Sequence, residues 1–183
     1  MKAIGRTIEI FEYLRKKKFV ISIEDGTQIY LSFFPEHYHH LVGYQHLTDL
    51  SDICNPQNKQ KFYNDVKKHR ISNEYVESSV KYSEIEERVE SFDSILDILS
   101  PGEGKIIVEF DKTKLNSSII AKFYLYKRVG NSLLGEPVFY NILFLGYNET
   151  KRAYYPATYI VEHSTRYIVN QKLLDCTITV LDK

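Results

Sequence analysis

The chain has 183 residues, 43% of them hydrophobic and 26% charged, a balance that suits one soluble domain with its own core. Its 24 basic and 24 acidic residues cancel, which disfavours a partner held by an overall basic field, so nucleic-acid binding would need a local patch. No run approaches the roughly 18 apolar residues that span a bilayer, Met1-Lys2-Ala3-Ile4-Gly5-Arg6 lacks an apolar signal region, and the distant Cys54 and Cys176 suggest neither a disulfide framework nor a zinc site.

Residues 5–16 place Ile8, Phe11 and Leu14 at helical spacing and predict an amphipathic first helix. Residues 18–24 and 27–34 alternate with period two on either side of Asp25-Gly26, a two-residue turn signal, and predict a hairpin. Pro35 suits the first turn of a short helix that Gly43 can close. Residues 48–79 are polar, turn at Asn55-Pro56, and predict one short helix with flanking loops. Lys59-x-Lys61 and Lys67-Lys68-His69-Arg70 give this stretch a local basic excess. Residues 83–99 predict the strongest helix, because Ile85, Val89, Phe92, Leu96 and Leu99 draw one apolar stripe and Pro101-Gly102 stops it.

Strands are predicted over 106–110, 119–128, 138–145, 153–162 and 174–181. In 119–128, Ile119, Ala121, Phe123 and Leu125 alternate with Lys122, Tyr124, Tyr126 and Arg128. The stretch 138–145 is apolar on both faces, as in a central strand, and Pro156 implies an edge position or a bulge. The expected fold class is therefore α+β: leading helices and a hairpin, then an antiparallel β-meander, in a single domain of residues 1–183.

Histidines are the first candidates for chemistry. His37, His39 and His40 fall within one short helix, with His46 just beyond, and imidazole titrates near neutrality. On an ideal helix His37 and His40 are neighbours, and His40 points away from the apolar Tyr38, Leu41 and Val42, towards a cleft or towards water. The spacing is not an established ligand pattern and lacks a second ligand pair, so no metal is expected. Arg88 flanks the apolar stripe, either as a fork paired to Glu84 or as a cation aimed at an anion. Lys122, Tyr124, Tyr126 and Arg128 on one strand face could stack bases and hold phosphates, or form an ordinary solvated face. Thr158 and Tyr159 bring hydroxyls beside the proline-disturbed strand. With no glycine-rich phosphate loop, no GxSxG elbow and no carboxylate-rich metal motif, serine hydrolases, P-loop enzymes and dinucleotide enzymes are disfavoured.

One order of features is distinctive: a helix, a hairpin with an Asp-Gly turn, Phe33-Phe34, then His40-Leu41-Val42-Gly43-Tyr44-x-x-Leu47-x-Asp49. It continues with Arg88 and Phe92 on a helix and closes with Tyr155-Pro156-Ala157-Thr158-Tyr159. Over most of its length the chain resembles the phage-associated nuclease-like families grouped with barnase, EndoU, colicin E5/D and RelE, most closely the fourth such group. The resemblance implies a compact helix-and-sheet domain that cleaves RNA without a metal or other cofactor, by attack of a ribose 2′-hydroxyl on the adjacent phosphate. It also implies His40 as general base or acid, Arg88 as stabiliser of the charged phosphorane, and Thr158 or Tyr159 as a hydrogen-bond donor to phosphate. Lys122 and Tyr124 extend that reading as a hold on backbone and base. The expected setting is a cytoplasmic phage or mobile-element toxin or effector, with RNA as substrate, an inhibitor protein as a further partner and no membrane. Two rivals stand beside it: a non-catalytic module that binds protein or nucleic acid through a tyrosine-rich face, and an enzyme transferring groups from a nucleotide.

Overall fold

The structure, a computed structural model, describes residues 3–115 and 117–183; Met1 and Lys2 of the amino-terminal stretch read above, and Asn116, lie outside the described residues. Helix α1 (Ala3–Arg15) buries Ile4, Ile8, Phe11 and Leu14 along one side. Strands β1 (Lys17–Ile23) and β2 (Gln28–Ser32) pair so that Phe19 faces Leu31 and Ile21 faces Ile29, all buried. Their connection is longer than the two-residue turn. Gly26 N–H donates to the Ile23 carbonyl and Ile23 N–H to the Thr27 carbonyl, which puts the left-handed position on Gly26.

Helix α2 (Pro35–Val42) forms as the sequence predicts and ends on Gly43. Residues 48–79 hold three short helices where one is expected: α3 (Ser51–Cys54), α4 (Lys59–Lys67) and α5 (Asn73–Glu77). Asn58 caps α4 and Ser72 caps α5, each side chain accepting a backbone N–H.

The predicted long helix over 83–99 is broken into α6 (Glu86–Glu90) and α7 (Ser94–Ile98). Ser91 is the cause. Its hydroxyl donates back to the Glu87 carbonyl at 2.6 Å, and its own carbonyl accepts the Tyr159 hydroxyl at 2.7 Å and Ser94 N–H at 2.9 Å. The apolar stripe survives the break, with Ile85, Val89, Phe92 and Leu99 buried.

The strands are β3 (Gly102–Glu109), β4 (Phe123–Val129), β5 (Phe139–Asn148), β6 (Ala153–Glu162) and β7 (Lys172–Asp182). β3 to β6 run as an antiparallel meander, but the sheet as a whole is not one. β7 returns to lie between β3 and β1, and β2 meets β6 in a parallel bridge, Leu31 opposite Tyr154. Among the described residues the seven strands thus close into a barrel of order β1-β2-β6-β5-β4-β3-β7. Closure gives each of these strands two neighbours and removes the free edges.

Two cores account for the strand patterns. The larger joins the helices to Phe19, Leu31, Leu125, Leu143, Leu145 and Tyr159. A smaller one on the opposite sheet face packs Val108, Tyr124, Ile142 and Phe144 against Phe110 and Tyr167. β5 therefore reads as apolar on both faces because both are covered. No helix among the described residues is long and apolar enough to cross a membrane.

Candidate functional site

A cavity of about 770 Å³ opens where α2 and α6 approach β6. His40, Arg88 and Thr158, far apart in sequence, all line it, together with His46 and Tyr155. β6 contributes through a bulge. Phe144 pairs with Thr158 and Leu145 with Pro156, so Ala157 is the extra residue. Strict alternation would send Ala157 and Thr158 to opposite faces; with the bulge both line the cavity. The proline signal is thereby explained as a bulge, on a strand with neighbours on both sides.

The segment His40-Leu41-Val42-Gly43 divides its work between core and cavity. Leu41 and Val42 are fully buried, and they fix the rotation of α2 that leaves His40 on the cavity side. Gly43 takes φ +95° and its N–H bonds the His39 carbonyl, closing the helix. It also makes room for Arg88: a Cβ on Gly43 would sit 2.8 Å from Arg88 Nη1 and 3.0 Å from Ile85 Cγ2. The glycine is thus needed twice, for its backbone angle and for the guanidinium lying against it.

Arg88 has no carboxylate partner among the described residues. Glu84, the candidate for a structural pair, bonds Lys81 at 2.8 Å. Arg88 Nη1 is buried with no hydrogen-bond acceptor. Burial pushes its pKa down to about 10, with Tyr159 opposing, so the guanidinium is still charged at neutral pH. A half-buried guanidinium with no carboxylate partner and one nitrogen buried without an acceptor has the chemistry to receive an anion at the cavity wall.

His40 Nε2 lies 2.6 Å from Lys59 Nζ, at the start of α4. With the ammonium donating, Nε2 is the acceptor and Nδ1 carries the proton. Burial, and then the Lys59 charge, hold the His40 pKa below its ordinary value. His46 is depressed likewise by burial and then by Arg88, and its Nε2 lies 3.3 Å from Gln45 Nε2. Both imidazoles are thus poised in the neutral form at pH 7. Tyr155 forms a further wall. Its ring lies against Gly146 on β5, where any Cβ would collide with it, and stacks with the His37 ring at 6.0 Å between centres.

The other histidines of the cluster are structural. His37 Nδ1 accepts Phe34 N–H at 3.2 Å and so caps α2. His39 is buried, with Nε2 at 2.8 Å from the Ile53 carbonyl, which ties α2 to α3. Burial takes both down to about 4. No group of three His, Cys, Asp or Glu side chains among the described residues is placed to hold a metal ion.

Three expected substrate contacts are not at the cavity. Tyr159 is fully buried and faces the main core, its hydroxyl donating to the Ser91 carbonyl. It braces α6, and of the two residues expected to meet phosphate only Thr158 lines the cavity. Tyr124 is fully buried in the smaller core, its hydroxyl bonded to the Tyr167 carbonyl. The alternation in 119–128 does place it opposite Phe123 and Leu125, but its face is covered and β4 begins only at Phe123. Lys122 is exposed in a separate depression, its ammonium 5.1 Å from the Tyr147 ring centre. Lys59 and His46 join the site without having been assigned a role from sequence. Lys59 shows there only as part of a basic stretch, and only the packing of α4 beside α2 brings it to His40.

Over residues 6–177 the sequence matches the family described as phage-Barnase-EndoU-ColicinE5/D-RelE like nuclease4. The chain belongs to this family. The match spans α2, α6 and β6, so every residue of the cavity described above falls within it. Neither curated proteins nor solved structures gave a significant match.

Proposed function

We propose that this nuclease-family protein cleaves RNA without a metal ion, by attack of a ribose 2′-hydroxyl on the adjacent phosphate. The observation that carries the reading is the half-buried guanidinium of Arg88, its Nη1 buried without an acceptor, in one cavity with His40, His46 and Thr158. A phosphodiester there would supply the anion that Arg88 lacks. Its charge would also raise the pKa of both imidazoles from their depressed values towards neutrality.

His40, neutral before substrate binds, takes the 2′-hydroxyl proton at Nε2 as the oxygen bonds phosphorus, the Lys59 ammonium having turned from that nitrogen to a phosphate oxygen. The 5′-oxygen leaves with a proton returned by that imidazolium or by His46, giving a cyclic phosphate and a 5′-hydroxyl. Arg88 neutralises the charge that grows on the phosphorane, and Thr158 donates to a phosphate oxygen. Before substrate binds, Lys59 holds His40 in the Nδ1–H tautomer. These groups supply acid–base and electrostatic help, worth about 10²–10⁴-fold and about 10²–10³-fold in comparable cases. Such an activity would suit a phage or mobile-element toxin restrained by an inhibitor protein, a setting that the phage association of the family favours.

The test is incubation of the purified protein with end-labelled, mixed-sequence RNA in excess EDTA, beside His40→Ala. Cleavage by the parent and its loss in the variant is the expected outcome. A folded parent that leaves the RNA intact would overturn the reading.

A further inference from the structure

The cavity holds a second arginine in a different electrostatic setting. Arg166, in the loop after β6, donates from Nε to Glu162 Oε2 at 2.7 Å. Its guanidinium lies over the Tyr167 ring, 4.7 Å from the centre. Glu162 is itself fixed, its other oxygen accepting Ser164 N–H at 2.9 Å and Ser164 hydroxyl at 2.7 Å. Only 12% of the Glu162 side chain is exposed. The pair is neutral overall, so Arg166 has little of the pull on a phosphate that the unpaired Arg88 exerts.

Neutralised charge and spare donors together suit a nucleobase. Nε is used and the plane is set by Tyr167, while Nη1 and Nη2 make no hydrogen bond among the described residues. These two nitrogens form an end-on fork for a pair of adjacent acceptors. Guanine presents such a pair at O6 and N7, and cytosine at N3 and O2. Adenine and uracil set a donor beside each acceptor on the corresponding edges. Ile120, 77% exposed and lining the same cavity, offers an apolar cover for a base face. The cavity volume, about 770 Å³, exceeds what a phosphate group alone needs.

We propose that the Arg166 end of the cavity is a nucleobase subsite that selects guanine and cytosine over adenine and uracil next to the phosphate held by Arg88. The proposal rests on the RNA-cleaving reading, and it adds a base preference that reading does not contain.

The test is binding of the four nucleoside 3′-monophosphates, and of inorganic phosphate, to the full chain by calorimetry, for the parent and for Arg166→Met. Guanine and cytosine nucleotides are expected to bind about tenfold or more tightly than the adenine and uracil ones. Arg166→Met should erase that difference and leave phosphate affinity unchanged. Equal binding of all four nucleotides by the parent, or a preference that survives in Arg166→Met, would overturn the subsite while phosphate binding still supports the cleavage reading. Failure of phosphate and every nucleotide to bind would overturn both.

Discussion

The two sides of α2 carry adjacent histidines with opposite duties. His39 faces the core and is held by the Ile53 carbonyl, whereas His40 faces the cavity and is held by the Lys59 ammonium. Burial lowers the pKa of both. The same chemical group is thus a strut on one side and, in the proposed mechanism, the proton carrier on the other, according to its partner and its access to the cavity.

The largest expected effect is on the cavity side. Arg88→Met should slow RNA cleavage by about 10²–10³-fold. Stability should hold or rise, because a partly desolvated cation with no protein partner is removed and its stem volume kept. Initial rates and urea midpoints check both halves; a strongly destabilised variant with normal activity per folded molecule would make Arg88 a structural residue.

On the core side the effect is on stability and on pH. His39 titrates at about 4 in the fold and near 6.5 when unfolded, so between those values the unfolded chain binds the extra proton. Stability from this residue is therefore full above pH 6.5 and lost as pH falls towards 4, by about 3 kcal/mol. His37 acts with the same sign. His39→Gln, which cannot titrate, should flatten that part of the stability–pH curve and leave cleavage unchanged. An unaltered curve would show that His39 is not the core's acid-sensitive strut.

Gly43 joins the two sides. Gly43→Ala forces a side chain into φ +95° and into Arg88, so a loss of about 1–3 kcal/mol is expected, with slower cleavage because the guanidinium must shift. Thermal melts and rates would show whether both fall together. The smallest effect belongs to Lys59→Met. Removal of the ammonium should raise the His40 pKa and move the acid limb of the pH–rate profile upward, as seen by NMR titration of the ring. A His40 pKa that stays put would break the assigned contact.

Much of this arrangement is legible in the sequence. Pro35 and Gly43 bracket α2, the Leu41-Val42 side sets its rotation, and the stripe through Ile85 and Val89 leaves Arg88 on its flank. What stays hidden depends on contacts distant in sequence. The break at Ser91 needs the Tyr159 hydroxyl, barrel closure needs Leu31 to meet Tyr154, and the His40 tautomer needs Lys59. The sequence leaves Thr158 and Tyr159 as alternatives because a bulge at Ala157 resets which side chains face the cavity. Tyr124 misleads for a related reason: alternation gives the face of a strand, but not whether loops cover it.

The most direct measurement is the chemical identity of the new ends when the purified protein cuts RNA in EDTA, read by mass spectrometry of the fragments. Cyclic phosphates facing 5′-hydroxyls are the expected result, since only attack by the 2′-hydroxyl produces them. Fragments carrying 5′-phosphates and 3′-hydroxyls would contradict it, and would mean that water, not the ribose, is the nucleophile in this cavity.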